Sequence, residues 1–204
     1  LNFDIVPQVN QVETTPYFQQ YEANEIMNKL EVVHQSWGPL SEGLNNLFEN
    51  KILLEIAEKT SAEEKPTILH CMWTDPLWVS GSATFQDEMI TAAGGINAAA
   101  AEEGWVALTM EKFLTMNPDI IVVDSGNGMG VGADDALRDF FLKDPRMQSL
   151  SAVQNERVYV VNADIIDRGG PRIVEGVEAL AEIAHPDIFG EYGGNTNSAK
   201  SPGF

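Results

Sequence analysis

Thr67-Ile68-Leu69-His70-Cys71-Met72 and Ile120-Ile121-Val122-Val123-Asp124 are two short, nearly continuous apolar runs. Each is too short and too evenly apolar for an amphipathic surface helix and fits a strand covered on both faces. Between them, Phe85 to Ala93 and Met110 to Met116 read as helices, the first ended by Gly94-Gly95. Strands that alternate with helices imply parallel βαβ units, so the predicted class is α/β, a parallel-sheet lobe with flanking helices.

Downstream the alternation continues. A glycine-rich loop, Ser125 to Gly132, leads to a helix from about Asp134 to Leu142, a turn at Asp144-Pro145 and a strand from Arg157 to Val161. The last helix runs from Pro171, a residue suited to a first turn, to Ala184, where His185-Pro186 ends it. Upstream, Thr14-Thr15-Pro16 signals a helix start, and Ile26, Leu30 and Val33 recur at three- and four-residue steps until Gly38-Pro39. A second helix is expected from Ser41 through Leu44, Phe48 and Ile56 to the charged run before Pro66. Together these form a helical linker segment ahead of the lobe, while Phe3, Ile5 and Val6 read as the end of one strand. Residues 1–65 are therefore a helical lead-in, 66–190 the α/β lobe and 191–204 a flexible polar tail, too poor in apolar residues to offset its ordering entropy.

The 204 residues carry 31 Asp and Glu against 12 Lys and Arg, a formal charge of -19 that repels phosphate backbones and anionic lipid surfaces. A nucleic-acid partner is excluded on that ground. No run approaches the roughly 18 to 20 apolar residues that a membrane-crossing helix needs. The single cysteine, Cys71, excludes an internal disulfide and any multi-cysteine metal site. Leu1 is not an initiator and no basic-then-apolar leader follows it, so the chain reads as a mature or excised segment.

No catalytic set is legible, and no enzyme is expected. His34, His70 and His185 lie on a predicted helix, in a buried strand and at a helix end; none is at metal-ligand spacing from another His or Cys, so no protein-bound metal or cofactor is expected. His70 reads as a packing residue. Ser80-Gly81-Ser82 lacks the flanking glycines of a nucleophile elbow, and Gly126-Asn127-Gly128-Met129-Gly130 lacks the third glycine and the acidic partner of a dinucleotide site. The segment Asp124 to Gly132 still follows a parallel strand, where α/β sheets place ligands. Trp73 and Trp78 flank Asp75-Pro76 after one strand, and Trp105 follows Gly104 before a helix; all three are expected in loops, as flat apolar plates for a macrocycle or chelate. Arg168, in Asp167-Arg168-Gly169-Gly170-Pro171-Arg172, could pair with an anionic ligand or stack on it.

Four segments in order resemble the carboxyl-terminal lobe of the class III, helix-linked periplasmic binding proteins that serve ABC importers of ferric siderophores, haem and cobalamin. They are Trp73-Thr74-Asp75-Pro76 through Ala93-Gly94-Gly95-Ile96-Asn97, Gly104-Trp105 through Asn117-Pro118-Asp119 and its strand, Arg157-Val158-Tyr159, and Arg168-Gly169-Gly170-Pro171-Arg172 through Ala184-His185-Pro186, spanning roughly residues 66 to 189. The resemblance implies a shallow cleft between two lobes, with Trp105 at a ligand-facing position and Trp73, Trp78 and Arg168 bordering the cleft. Glu111 matches the exposed glutamate that docks this lobe on the membrane permease. The lead-in would then hold only a remnant of the amino-terminal lobe. Pro202-Gly203-Phe204 is similar to the tripeptide before the removable anchor of many archaeal surface proteins. The function implied is a non-enzymatic, extracytoplasmic, membrane- or surface-anchored solute-binding component for iron chelates of the ferric siderophore type. The alternatives are a corrinoid or haem binding protein, or a sensor domain derived from the same lobe.

Overall fold

The structure is a computed structural model that describes residues 8–13, 20–37, 50–125, 136–167 and 172–195. Its first unit is a strand, β1 (Val9–Glu13), a helix, α1 (Tyr21–Lys29), and a second strand, β2 (Val33–Trp37), paired in parallel with β1 from Val9 opposite Val33 to Glu13 opposite Trp37. The helix expected to reach Trp37 therefore stops early. Leu30 leaves helical geometry, Glu31 turns left-handed at φ 55°, and the β-branched pair Val32-Val33 starts the strand. The apolar recurrence that suggested one long helix is a coincidence of spacing: Ile26, Leu30 and Val33 are 56%, 41% and 62% exposed, whereas Met27 and Val32 are buried. The helix start signal at Thr14-Thr15-Pro16 and the apolar residues 3–6 lie outside the described residues, as does the segment from 41 to 49. The described second helix, α2 (Lys51–Thr60), opens on Asn50, whose Oδ1 accepts a hydrogen bond from Ile52 N at 2.9 Å.

After Pro66 the chain builds one mixed sheet. In order come β3 (Thr67–Thr74), β4 (Leu77–Ser80), helix α3 (Phe85–Ala92), the two-residue β5 (Ile96–Asn97) and β6 (Trp105–Leu108). Helix α4 (Met110–Met116), β7 (Ile120–Ser125) and helix α5 (Ala136–Lys143) follow. The remainder is α6 (Ser151–Gln154), β8 (Val158–Asn162), α7 (Ala163–Ile166), α8 (Ile173–Ala184) and α9 (Pro186–Phe189). The strand order is β6-β4-β3-β7-β8, with β5 beside the start of β3. Strands β3, β5, β7 and β8 run parallel, as the βαβ pattern requires; β4 pairs antiparallel with both β3 and β6, which the sequence reading did not anticipate.

Both faces of the parallel strands are covered, and successive residues feed opposite cores. On one side Leu69, Cys71, Ile121 and Val123 pack with Phe113 of α4 and Phe141 of α5, whose rings stack at 5.6 Å. On the other, Ile68, Ile120 and Val122 meet Ile56 of α2, Ile90 of α3 and Leu180 of α8. Cys71 is fully buried, its Sγ–H donates to the Trp73 carbonyl at 3.1 Å, and burial pushes the thiol up to about 12. No helix among the described residues is long and apolar enough to cross a membrane. Tyr192 is not yet free tail: its hydroxyl donates to the Val160 carbonyl at 3.1 Å. Residues 196–204, with Pro202-Gly203-Phe204, lie outside the described residues.

Asn117-Pro118-Asp119 is a junction. Asn117, left-handed at φ 41°, ends α4 and accepts from Ser151 N at 2.8 Å, while the Asp119 carboxylate accepts from both Thr67 N (2.8 Å) and Thr67 Oγ1 (2.7 Å), tying the starts of β7 and β3 together. Those two hydrogen bonds hold the Asp119 carboxyl below its ordinary value. A depressed carboxyl stabilises the fold above the unfolded-chain value and ceases to do so as pH falls through the folded one. Asp119→Ala is expected to cost about 1 kcal/mol near neutrality. The difference from the parent should shrink in thermal melts taken at increasingly acid pH; a cost that did not change with pH would mean that the charge contributes nothing.

Candidate ligand groove and the polar cluster beneath it

Along β4 the side chains alternate: Leu77 and Val79 enter the core, while Trp78 projects from the other face, 37% exposed. Trp73 stands opposite Trp78 in the β3–β4 register, and Trp105 pairs with Ser80 across β4–β6, one diagonal step away. The three tryptophans are thus on strands rather than in loops, and the antiparallel edge brings them together. With Met72 and Pro76 they line an open apolar groove of about 560 Å³. The Trp73 indole N–H donates to the Asp75 carbonyl at 2.9 Å, which fixes that ring.

The start of the strand bearing Trp105 is held by backbone hydrogen bonds, with Ser82 Oγ adding one to the Glu102 carbonyl at 2.9 Å. Gly81 N donates to the Gly104 carbonyl at 2.9 Å, Ser82 N to the Glu102 carbonyl at 2.7 Å, and Gly104 N back to the Ser82 carbonyl at 2.7 Å. A side chain at Gly81 would enter the Glu102 and Gly104 carbonyls, so only glycine admits this crossing.

Under the Trp105 edge lies His70, ring centroids 5.8 Å apart and at 69°. His70 is wholly buried in β3. Its Nδ1 hydrogen-bonds Ser80 Oγ at 3.1 Å and its Nε2 hydrogen-bonds Asp124 Oδ1 at 2.8 Å, with Asp167 Oδ1 at 3.6 Å. Asp124 reaches it because His70 pairs with Val122 across β3–β7, which puts the residue two further along on the same face. Asp124 and Asp167 share a hydrogen bond, and the buried Gln86 amide N–H₂ donates to Asp167 Oδ1 at 3.2 Å and to the Ile166 carbonyl at 3.1 Å.

Burial works against charge on His70, but Asp124 and then Asp167 hold the imidazole above its ordinary value. Burial also raises Asp124, and the His70 charge and hydrogen bond outweigh it, so Asp124 stays below the carboxylate range. Asp167 is pushed up to about 7, by burial first and then by its hydrogen bond with Asp124. The reading of His70 as mere packing is corrected: it is the centre of a polar cluster whose other members the sequence does not mark. Asp124 is reached only as the first residue of a loop surface, and Ser80, Gln86 and Asp167 carry no motif. The available signal was a histidine inside an otherwise apolar strand, at the height of an aspartate that ends the neighbouring one.

Ser80, His70 and Asp124 form a hydrogen-bonded chain, but both Ser80 and His70 are fully buried, so the hydroxyl is presented to no substrate. Glu111 sits exposed in the first turn of α4, apart from the groove lining. Arg168 and the glycine-rich segment 126–132 lie outside the described residues. Arg172 is described and pairs with Asp164 at 3.3 Å. His185 ends α8 as expected, its Nε2 3.2 Å from the Gly94 carbonyl.

Residues 44–165 match the family described as periplasmic binding protein. The chain is 36% identical over 143 residues to an uncharacterized ABC transporter substrate-binding lipoprotein of Bacillus subtilis, covering 69% of this chain and 42% of that protein, so it spans about two fifths of that relative. It is 35% identical over 89 residues to an iron-uptake system-binding protein of the same organism, 44% of this chain and 27% of that one. A periplasmic heme-binding protein from Pseudomonas aeruginosa shares the fold with a TM-score of 0.62 at 18% identity, over 89% of this chain and 73% of that chain.

Proposed function

Because the chain belongs to the periplasmic binding protein family, a family of substrate-binding proteins rather than enzymes, we propose that it is the carboxyl-terminal lobe of the solute-binding component of an ABC importer, and that its cargo is a metal chelate. The observation that carries the reading is the groove itself: Trp73, Trp78 and Trp105 gathered on one sheet face around about 560 Å³. Three rigid indoles offer large flat contact area at small entropic cost, which suits a planar or aromatic chelate better than a small polar solute. An iron chelate of the siderophore type is favoured by the likeness to the iron-uptake protein; haem and corrinoids share the required flatness. Arg168, next in the chain to Asp167, is the proposed cationic contact to the ligand. Glu111, exposed at the start of α4, is the proposed contact to the permease, where a surface charge sets register and on-rate more than affinity. The site of action is extracytoplasmic, with the protein tethered to the membrane or cell surface.

The test is a tryptophan-fluorescence titration of the chain with ferric siderophores, haem and cobalamins. Saturable quenching by one class is expected, with Trp105→Ala weakening it by about tenfold or more. Absence of saturation with every chelate, or an unchanged affinity in Trp105→Ala, overturns the reading.

A further inference from the structure

We propose that His70, Asp124 and Asp167 form a binding site, separate from the groove's cargo, for one divalent transition-metal ion of the zinc class. The ligating atoms of the three residues lie within 4.8 Å of one another. His70 Nε2 is 2.8 Å from Asp124 Oδ1 and 3.6 Å from Asp167 Oδ1. Donors bound tetrahedrally at about 2.0–2.1 Å stand roughly 3.3–3.4 Å apart, a separation that these two distances bracket. Small rotations of the carboxylates complete the geometry.

Charge and donor type agree. Two carboxylates and a neutral imidazole present a charge that a divalent cation cancels, in a place where an uncompensated charge is expensive. The cation takes the positions of the protons that bridge His70 to Asp124 and Asp124 to Asp167. An imidazole nitrogen among few oxygens selects zinc, cobalt, nickel or ferrous iron over magnesium and calcium, which require more oxygen donors.

Two independent features fit a ligand here. Gln86 is wholly buried, its amide nitrogen touches Asp167, and its Oε1 is a buried polar atom without a hydrogen-bond partner among the described residues. Such an orphan in a well-packed interior calls for an ion or a water. Ser80 Oγ, at 3.1 Å from His70 Nδ1, holds the ring by its far nitrogen and leaves Nε2 toward the carboxylates, which is how the outer partner of a metal-bound histidine acts.

With a net charge of -19 the surface collects divalent ions weakly at many places, so the experiment reads the site itself. The full chain is titrated with Co²⁺ under visible absorption and with Zn²⁺ under NMR of the imidazole resonances. Expected are one equivalent of Co²⁺ giving d–d absorption, its displacement by Zn²⁺ but not by Mg²⁺, and a Zn²⁺-dependent shift at His70, with His34 and His185 unmoved. Asp167→Asn, which keeps an acceptor for Gln86, should weaken binding by roughly 10- to 100-fold or more. The proposal is overturned if His70 does not shift in the parent, if Mg²⁺ competes equally, or if Asp167→Asn binds Co²⁺ as the parent does. The NMR arm needs no variant to fold.

Discussion

Asp124→Ala should lower the unfolding free energy by about 3–5 kcal/mol, because it removes one partner of a buried, charge-assisted pair and leaves the other. His70 is completely buried, and the Asp124 side chain is only 11% accessible, so water does not readily replace the lost carboxylate. The variant also breaks the Asp124–Asp167 hydrogen bond, leaving Asp167, at 3.6 Å, as the nearest acidic group to His70 Nε2 among the described residues. Asp124→Asn keeps an acceptor oxygen for Nε2 and should lose distinctly less. Urea unfolding of the three proteins at neutral pH, followed by tryptophan fluorescence, measures the order parent, Asn, Ala. A loss under about 1 kcal/mol for Ala would show that the imidazole finds another partner at little cost.

Gly81→Ala has the second large effect, on stability and on the groove together. The new Cβ meets backbone on two sides, the Glu102 and Gly104 carbonyls, and neither is the free end of a flexible side chain. Relief requires parting the hydrogen bonds between residues 81–82 and 102–104, which are what position the start of β6. The cost should be about 1–3 kcal/mol, the range for overpacking. The same shift moves Trp105 against Trp78, so its emission maximum should move to longer wavelength and chelate affinity should drop in a protein that is still folded at low temperature. Unchanged emission together with unchanged stability would show that the loop yields without moving the strand.

Strands β3, β7 and β8 and helices α3, α4, α5 and α8 were legible because each announces itself locally; the two-residue β5 and the four-residue α6, α7 and α9 were too short to do so. Phe85 to Ala92 and Met110 to Met116 begin after Thr84 and Thr109, whose hydroxyls cap them by accepting from Asp87 N and Lys112 N, and Asn117-Pro118 stops the second. The antiparallel edge was not legible. β4 and β6 have four residues each, too few for alternation to stand out from a loop, and their tryptophans were expected to face a ligand without the strands that carry them. β2 was lost to a helical spacing that straddled the turn at Glu31. The polar cluster was invisible for a different reason: its members are 54 residues apart in the case of His70 and Asp124, and only the β3–β7 register brings them level. Sequence spacing holds no record of that register.

The burial of Cys71 makes the chain its own reporter. A thiol held near 12 inside β3 presents almost no thiolate to an alkylating reagent at neutral pH while the sheet is intact. Labelling of that sulfur therefore counts the moments when β3 comes away from its neighbours. A second cysteine placed on the groove rim would take a dye selectively, with the native residue left as it is.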